Sequence, residues 1–135
     1  GRGVRTLRGL AEGPHLRLSD SVPSLVPLYR RAVVAAGPLR SGEGVRGKFL
    51  EALACGCPVV TTALGASGIE AGPAEGLFEA ETPDAMAARV TDLLAAPARL
   101  GPLRAAAADA MRRRHSLDAW RRALDGILDG LSAAG

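Results

Sequence analysis

Two glutamates and one lysine, close together in the chain, are the residues whose chemistry could serve a ligand. Glu43 and Glu51 are separated by seven residues that include Gly44, Gly47 and Lys48. A carboxylate can accept hydrogen bonds from sugar hydroxyls, and an ammonium group can pair with a phosphate. Lys48 is the only lysine among 17 basic residues. The stretch is therefore either a ligand site or the solvated face of an ordinary helix.

A helix that starts near Gly44 would place most of these residues together. Because a helix turns by about 100° per residue, Gly47, Lys48 and Glu51 share with Gly44 a stripe about 100° wide. The apolar residues fall on a separate face that suits packing on a sheet: Val45, Phe49, Ala52 and Leu53. Each glycine costs about 1 kcal/mol relative to alanine in a helix, so two of them suggest a close approach to the stripe.

Such a stripe would suit a phosphorylated sugar or nucleotide. Unpaired N–H groups in the first turn of a helix attract anions, and Lys48 would reinforce them. Glu51 could accept two hydrogen bonds from a diol such as a ribose, and Glu43 could reach a sugar hydroxyl beyond the phosphates. The alternative stays open at this point. Lys48 and Glu51 could form an ordinary surface pair at i,i+3, and residues 42–44 could be a simple turn.

Composition narrows the class of protein. With 47% hydrophobic and 23% charged residues, the 135-residue chain is predicted to be a single globular domain over residues 1–135. No apolar run approaches the ~20 residues that span a bilayer, and no segment resembles a signal peptide, so a cytoplasmic location is predicted. Aromatic residues make up only 3%, which argues against nucleic-acid binding by base stacking. A tetrahedral metal site needs four ligands, so the pair Cys55 and Cys57, in a chain with two histidines far from it in sequence, is weak evidence for a metal.

The pattern along the chain predicts strands that alternate with helices. Alternating apolar residues favour a strand over residues 15–18, and short apolar runs favour strands over residues 32–36, 58–62 and 76–80. Apolar spacing and capping residues predict helices over residues 4–11, 24–32, 44–54, 83–96 and 98–114, and a last one capped by Ser116. This alternation predicts an α/β fold with a mainly parallel sheet and helices on both faces. Ligands of such folds bind beyond the carboxyl ends of the strands, where the loop 37–43 would lie.

The last predicted helix carries one continuous apolar stripe: Leu117, Trp120, Leu124, Ile127, Leu128 and Leu131. Such a stripe normally packs on the core of its own domain. A surface that docks another domain or a second copy of the chain is the alternative reading.

The stretch from Glu43 onward resembles the nucleotide-sugar donor half of family 4 retaining glycosyltransferases, which have the two-domain GT-B fold. The resemblance is carried by Glu43, by Glu51 and by "EALACGCPVVTT". The upstream segment "LSDSVPSLVPLYRRAVVAAGPLR" resembles the family's loop, short helix and buried strand. The downstream segments "FEAETPDAMAARVTDLLA" and "RRRHSLDAWRRAL" resemble its later helices. The resemblance thus implies a Rossmann-like donor domain.

The resemblance also implies roles for individual residues. Glu51 would hold the ribose hydroxyls, and Glu43 would contact the donor sugar as the catalytic residue. The other contacts to the sugar and diphosphate would come from Gly42, Gly44, Val45 and Lys48, and the base would lie near Ser21 and Val22. The implied reaction is transfer of a hexose-like sugar with retention, without a metal or other cofactor.

The resemblance further implies an N-terminal acceptor domain and first donor-domain strands that the chain lacks. The isolated chain is therefore expected to transfer little sugar, and membrane association is expected only through that other half. Two alternatives remain: a non-catalytic nucleotide-sugar-binding, docking or self-associating domain, and an epimerase of the same two-domain fold.

Overall fold

The computed structural model describes residues 15–19, 22–42 and 47–133, with side chains as far as residue 129. Its centre is an open parallel sheet of three strands, which lie side by side in the order in which they occur in the chain. The first half of the described chain contains α1 (Val26–Arg31), β1 (Ala35–Gly37), α2 (Gly47–Ala54), β2 (Val59–Thr61) and α3 (Ala63–Ala66). A 3₁₀ turn (Pro73–Glu75), β3 (Leu77–Glu79), α4 (Pro83–Ala95), α5 (Pro97–Arg114) and α6 (Leu117–Ala133) follow. The predicted α/β fold is confirmed.

The central strand, β2, is buried because helices cover both faces of the sheet. All three residues of β2 are buried, and Val59 pairs with Ala35 on one side and Leu77 on the other. Because successive side chains alternate between faces, Val59 packs with α2 and α5 whereas Val60 packs with α4. The layers are therefore α2 and α5, then the sheet, then α4. A continuous apolar run such as Val59-Val60 is typical of a strand that is covered on both faces.

Most predicted elements are present with shifted ends. The strands predicted over 32–36, 58–62 and 76–80 correspond to β1, β2 and β3. The strand predicted over 15–18 is wrong, because residues 15–19 are described without a strand partner, and alternation alone cannot supply one. Pro97 begins α5 at its first position, where a missing N–H costs little. The helix predicted over 4–11 and the start of the one over 44–54 lie outside the described residues.

A helix-ending motif accounts for the spacing of the two cysteines. Gly56 has a φ of 73°, and its N–H donates to Leu53 while the N–H of Cys57 donates to Ala52. This pair of hydrogen bonds is a Schellman motif. The motif favours glycine at position 56, because the left-handed conformation strains other residues. Both cysteines are free, and burial raises the pKa of the Cys57 thiol. The pair thus frames the end of α2.

Arg104 on α5 holds the end of α1 in place. Its two terminal nitrogens donate to the carbonyl oxygens of Ala32, at 2.8 Å, and Arg30, at 2.9 Å. The last carbonyls of a helix lack partners within the helix, so a guanidinium satisfies both at once. Arg104 thereby joins two elements that lie far apart in the sequence.

The apolar stripe of α6 does not pack on the core in the described structure, so the prediction of core packing is wrong. Its described members are 42–70% exposed: Leu117, Trp120, Leu124, Ile127 and Leu128. The side chain of Leu131 lies outside the described residues. Sequence periodicity identified the stripe but not the surface opposite it. None of the helices that the structure describes is both long enough and apolar enough to span a membrane.

Candidate functional site

Two threonines join the carboxyl ends of β1 and β2. Thr61 Oγ1 donates to the carbonyl oxygen of Gly37 at 2.7 Å, and Thr62 Oγ1 donates to that of Leu39 at 2.6 Å. Both threonines are buried, so these bonds are shielded from water. They fix the start of the loop that leaves β1 and reaches Gly42, whose φ of 126° favours glycine. The loop is thus held at the edge of the sheet where parallel α/β folds bind ligands.

The short helix α3 packs against the same edge. Thr62 accepts a hydrogen bond from the N–H of Gly65, and Glu81 Oε1 accepts one from the N–H of Ala63 at 2.6 Å. A side chain at Gly65 would overlap Thr61 Oγ1 and lie 3.1 Å from the ring of Phe49. The absence of a side chain at Gly65 therefore lets α3, β2 and α2 approach one another.

The two faces of α2 separate as the sequence predicts. Ala52 and Leu53 are fully buried in the core, whereas Lys48 is exposed and Glu51 is partly exposed. A Cβ built on Gly47 would meet no atom within 4 Å, so the space beside the start of α2 is open. Among the residues that the structure describes, Lys48 and Glu51 form no ion pair with each other or with another group. The ordinary surface pair is therefore not formed.

Glu51 borders a cavity of about 320 Å³ between α2 and the junction of α5 with α6. Its polar lining includes Arg112, His115 and Ser116, and its apolar lining includes Leu50 and Met111. Sequence reasoning missed Arg112 and His115 here, because it treated the arginine cluster only as a helix end. The cavity thus has a carboxylate on its α2 side and a cation and an imidazole on its α5 side.

Tyr29 shows that the charge of Glu51 is felt inside the fold. Burial raises the pKa of the Tyr29 phenol above its usual value, and the negative charge of Glu51 raises it further. A nearby anion opposes formation of a phenolate, which explains the direction of the shift. Glu51 is thus close to α1 as well as to the cavity.

The remaining predicted site residues divide into two groups. Gly42 ends the anchored loop, and Val22 is half-buried in the segment before α1. Glu43, Gly44, Val45 and Ser21 lie outside the described residues, so their roles stay predictions. In the described ranges, no three His, Cys, Asp or Glu side chains come together as ligands of a metal ion. Thr61, Thr62 and Gly65 were missed as site residues, although a Thr-Thr pair at the end of a buried strand was a usable signal.

A comparison with protein families bears on this edge of the sheet. The family model described as "Glycosyl transferases group 1" matches residues 1–96, which include the anchored loop, α2, all three strands and the whole of α4. In the same comparisons, neither a curated protein nor a solved structure matches the chain.

Proposed function

Since the chain belongs to the group 1 glycosyltransferases, we propose that it binds the nucleotide-diphosphate sugar from which a retaining enzyme of the GT-B type transfers a hexose-like sugar. In this proposal the chain is the C-terminal donor half of the enzyme. The carbon–oxygen bond between the sugar and the phosphate breaks, and the nucleoside diphosphate leaves. The acceptor oxygen then attacks from the same face, and its proton passes to a phosphate oxygen.

One observation carries this proposal: Glu51 lines a cavity, and its carboxylate has no hydrogen-bond or ion-pair partner among the described residues. An unpaired carboxylate can accept hydrogen bonds from both hydroxyls of a ribose. Such charge-assisted hydrogen bonds are stronger than those between neutral groups. Among the described residues, no other glutamate lies in an α-helix. Glu51 is therefore the residue on which recognition of the nucleoside depends.

Lys48 and the start of α2 would bind the diphosphate. Lys48 is exposed on the same face as Glu51, and its ammonium group has no partner among the described residues. Negative charge grows on the diphosphate as the sugar departs, so a fixed cation beside it lowers the barrier. Glu43, with Gly42, Gly44 and Val45, would contact the sugar, and Ser21 and Val22 would border the base. The proposal needs no metal ion and no cofactor.

Sugar transfer by the chain alone would be slight, because the acceptor contacts implied by the family belong to a second domain. The proposed location is cytoplasmic, as the sequence predicts.

Calorimetric titration of the chain with uridine and guanosine diphosphates tests the proposal. One of the two should bind, and Glu51→Ala should weaken it by about tenfold or more, because two bonds to a charged group are lost. Asp125→Ala removes the same charge from an exposed helical position on α6 and should leave the affinity unchanged. Equal affinity of the wild type and Glu51→Ala, or no binding of either diphosphate, would contradict the proposal.

The stripe on α6 favours a second candidate function, self-association of a non-catalytic domain. Leu117, Trp120, Leu124 and Ile127 follow the alternating spacing of a coiled-coil seam, and all are exposed. Sedimentation equilibrium would then show a dimer that Ile127→Asp converts to a monomer. A wild-type chain that stays monomeric at high concentration would exclude this candidate.

A further inference from the structure

A second and larger cavity lies on the side of the molecule that carries β3. Its volume is about 690 Å³, and residues of α4, α5, β3 and the 3₁₀ turn line it. Small side chains leave this space between the two helices: Ala74, Ala95, Ala96, Ala98 and Ala106. The volume falls in the range of about 300–1,000 Å³ that is usual for small-molecule sites. The cavity is therefore large enough for an organic ligand.

The cavity has an apolar floor. Phe78, Leu93 and Leu103 line it, and all three belong to the cluster that packs on the α4 face of the sheet. These side chains are set by the core, so the floor exists before any ligand arrives. An apolar group that covered them would be removed from water, which favours binding by about 25 cal/mol for each Å² buried.

The rim of the cavity is positively charged. Arg89 and Arg99 line it together with a single carboxylate, Asp92. Among the residues that the structure describes, neither arginine forms an ion pair, although Arg89 and Asp92 are three residues apart on α4. Two unpaired guanidinium groups above an apolar floor suit an anion, because arginine presents a planar fork of donors to carboxylate or phosphate.

The aromatic ring of the floor also positions one of these cations. The guanidinium of Arg89 lies 5.4 Å from the centroid of the Phe78 ring, within the range of a cation–π contact. The contact holds Arg89 at the cavity without neutralising its charge. A smaller cavity of about 250 Å³ shares Phe78, Arg89 and Pro73 with the first, so the space continues past the ring.

This cavity is separate from the one that Glu51 borders. The two share no lining residue. They lie along different parts of α5. Residues between Ala98 and Ala106 line the larger cavity, whereas residues between Ala108 and Arg112 line the cavity beside Glu51. We propose that the cavity between α4 and α5 binds a small organic anion, a carboxylate or phosphate monoester attached to an apolar group, at Arg89 and Arg99.

Short amphiphiles of opposite charge test the proposal on the full chain. Octyl phosphate and octanoate, each below its micelle concentration, should bind in calorimetric titrations, whereas octyltrimethylammonium should not. Inorganic phosphate alone should bind far more weakly than octyl phosphate, because it cannot cover the floor. Whichever of the two octyl anions binds more tightly identifies the head group. Failure of both anions to bind, or equal binding of the cation, would overturn the proposal.

Two variants locate the binding. Arg89→Gln with Arg99→Gln should weaken octyl phosphate by about tenfold or more, since charge-assisted hydrogen bonds are lost. Arg121→Gln with Arg122→Gln removes the same charge from α6 and should change the affinity less than about twofold. Ala98→Leu fills the cavity at an exposed position and should weaken binding without a change in charge. Circular dichroism checks that each variant is folded. Equal losses in both arginine pairs, or none in Ala98→Leu, would contradict the assignment.

Discussion

Gly65 lies directly against the side chain of Thr61, so that a methyl group at position 65 would overlap the threonine Oγ1. Thr61 is fully buried, and its hydroxyl is already bonded to the carbonyl of Gly37. Gly65→Ala should therefore destabilise the fold by about 1–3 kcal/mol, because the overlap can be relieved only by moving β2 or α3. A thermal or denaturant melt measures the difference.

Gly126→Ala is the matched control for this change. Gly126 lies within α6, and a methyl group there would meet no atom within 4 Å. Alanine should stabilise this helix by about 0.5–1 kcal/mol. If both substitutions change the free energy of unfolding in the same direction, close packing is not the reason for a glycine at position 65.

Arg104 is expected to contribute more to the stability of the fold than an ordinary surface arginine does. It donates two hydrogen bonds to the end of α1, so Arg104→Ala leaves two carbonyl groups without their donor. The free energy of unfolding should fall by about 1–3 kcal/mol. Arg121→Ala on the exposed face of α6 should change it by less than about 0.5 kcal/mol. Hydrogen exchange at Ala32, whose N–H closes α1, should accelerate only in the first variant.

The single tyrosine reports directly on Glu51. Because the chain contains only Tyr29, an absorbance titration at alkaline pH follows that phenol alone. The pKa of wild-type Tyr29 should lie above its usual value, mainly through burial and further through the charge of Glu51. Glu51→Gln removes the charge but not the burial, so the pKa should fall and still remain raised. Asp125→Asn should leave it unchanged, and an unchanged pKa in Glu51→Gln would show that the two groups are not close.

Much of the fold follows from local pattern, whereas the site depends on contacts that the pattern does not contain. The Val59-Val60 run predicts a buried strand because only a strand covered on both faces needs such a run. The strand predicted over 15–18 had the alternation but no neighbour. The helix α3 was missed because "ALGASG" resembles a turn, and its position depends on Thr62 and Glu81.

The candidate site was predictable only in part. The helical projection placed Lys48 and Glu51 away from the core, and the structure agrees. The proximity of Tyr29, Arg112 and His115 to Glu51 could not be predicted, because they reach it through the packing of α1 and α5 against α2. Likewise, the periodicity of α6 marks an apolar stripe but cannot say what covers it.

Lys48 offers a chemical test of where the diphosphate binds. As the only lysine, it gives one acetylated side chain when the protein reacts with an amine-selective reagent, and the α-amino group serves as an internal control. If Lys48 binds the diphosphate, acetylation at position 48 should slow as nucleotide is added, whereas the α-amino group should react at a constant rate. Peptide mass spectrometry measures both. Equal rates with and without nucleotide would remove Lys48 from the site.

The central claim is that Glu51 binds the ribose of the donor nucleotide. It is tested most directly by comparing a ribonucleoside diphosphate with its 2′-deoxy analogue in the wild type and in Glu51→Ala. The wild type should bind the ribose form about tenfold more tightly, because one charge-assisted hydrogen bond is lost in the analogue. In Glu51→Ala the two forms should bind equally, since the group that distinguishes them is absent. A preference for ribose that survives in Glu51→Ala would contradict the claim.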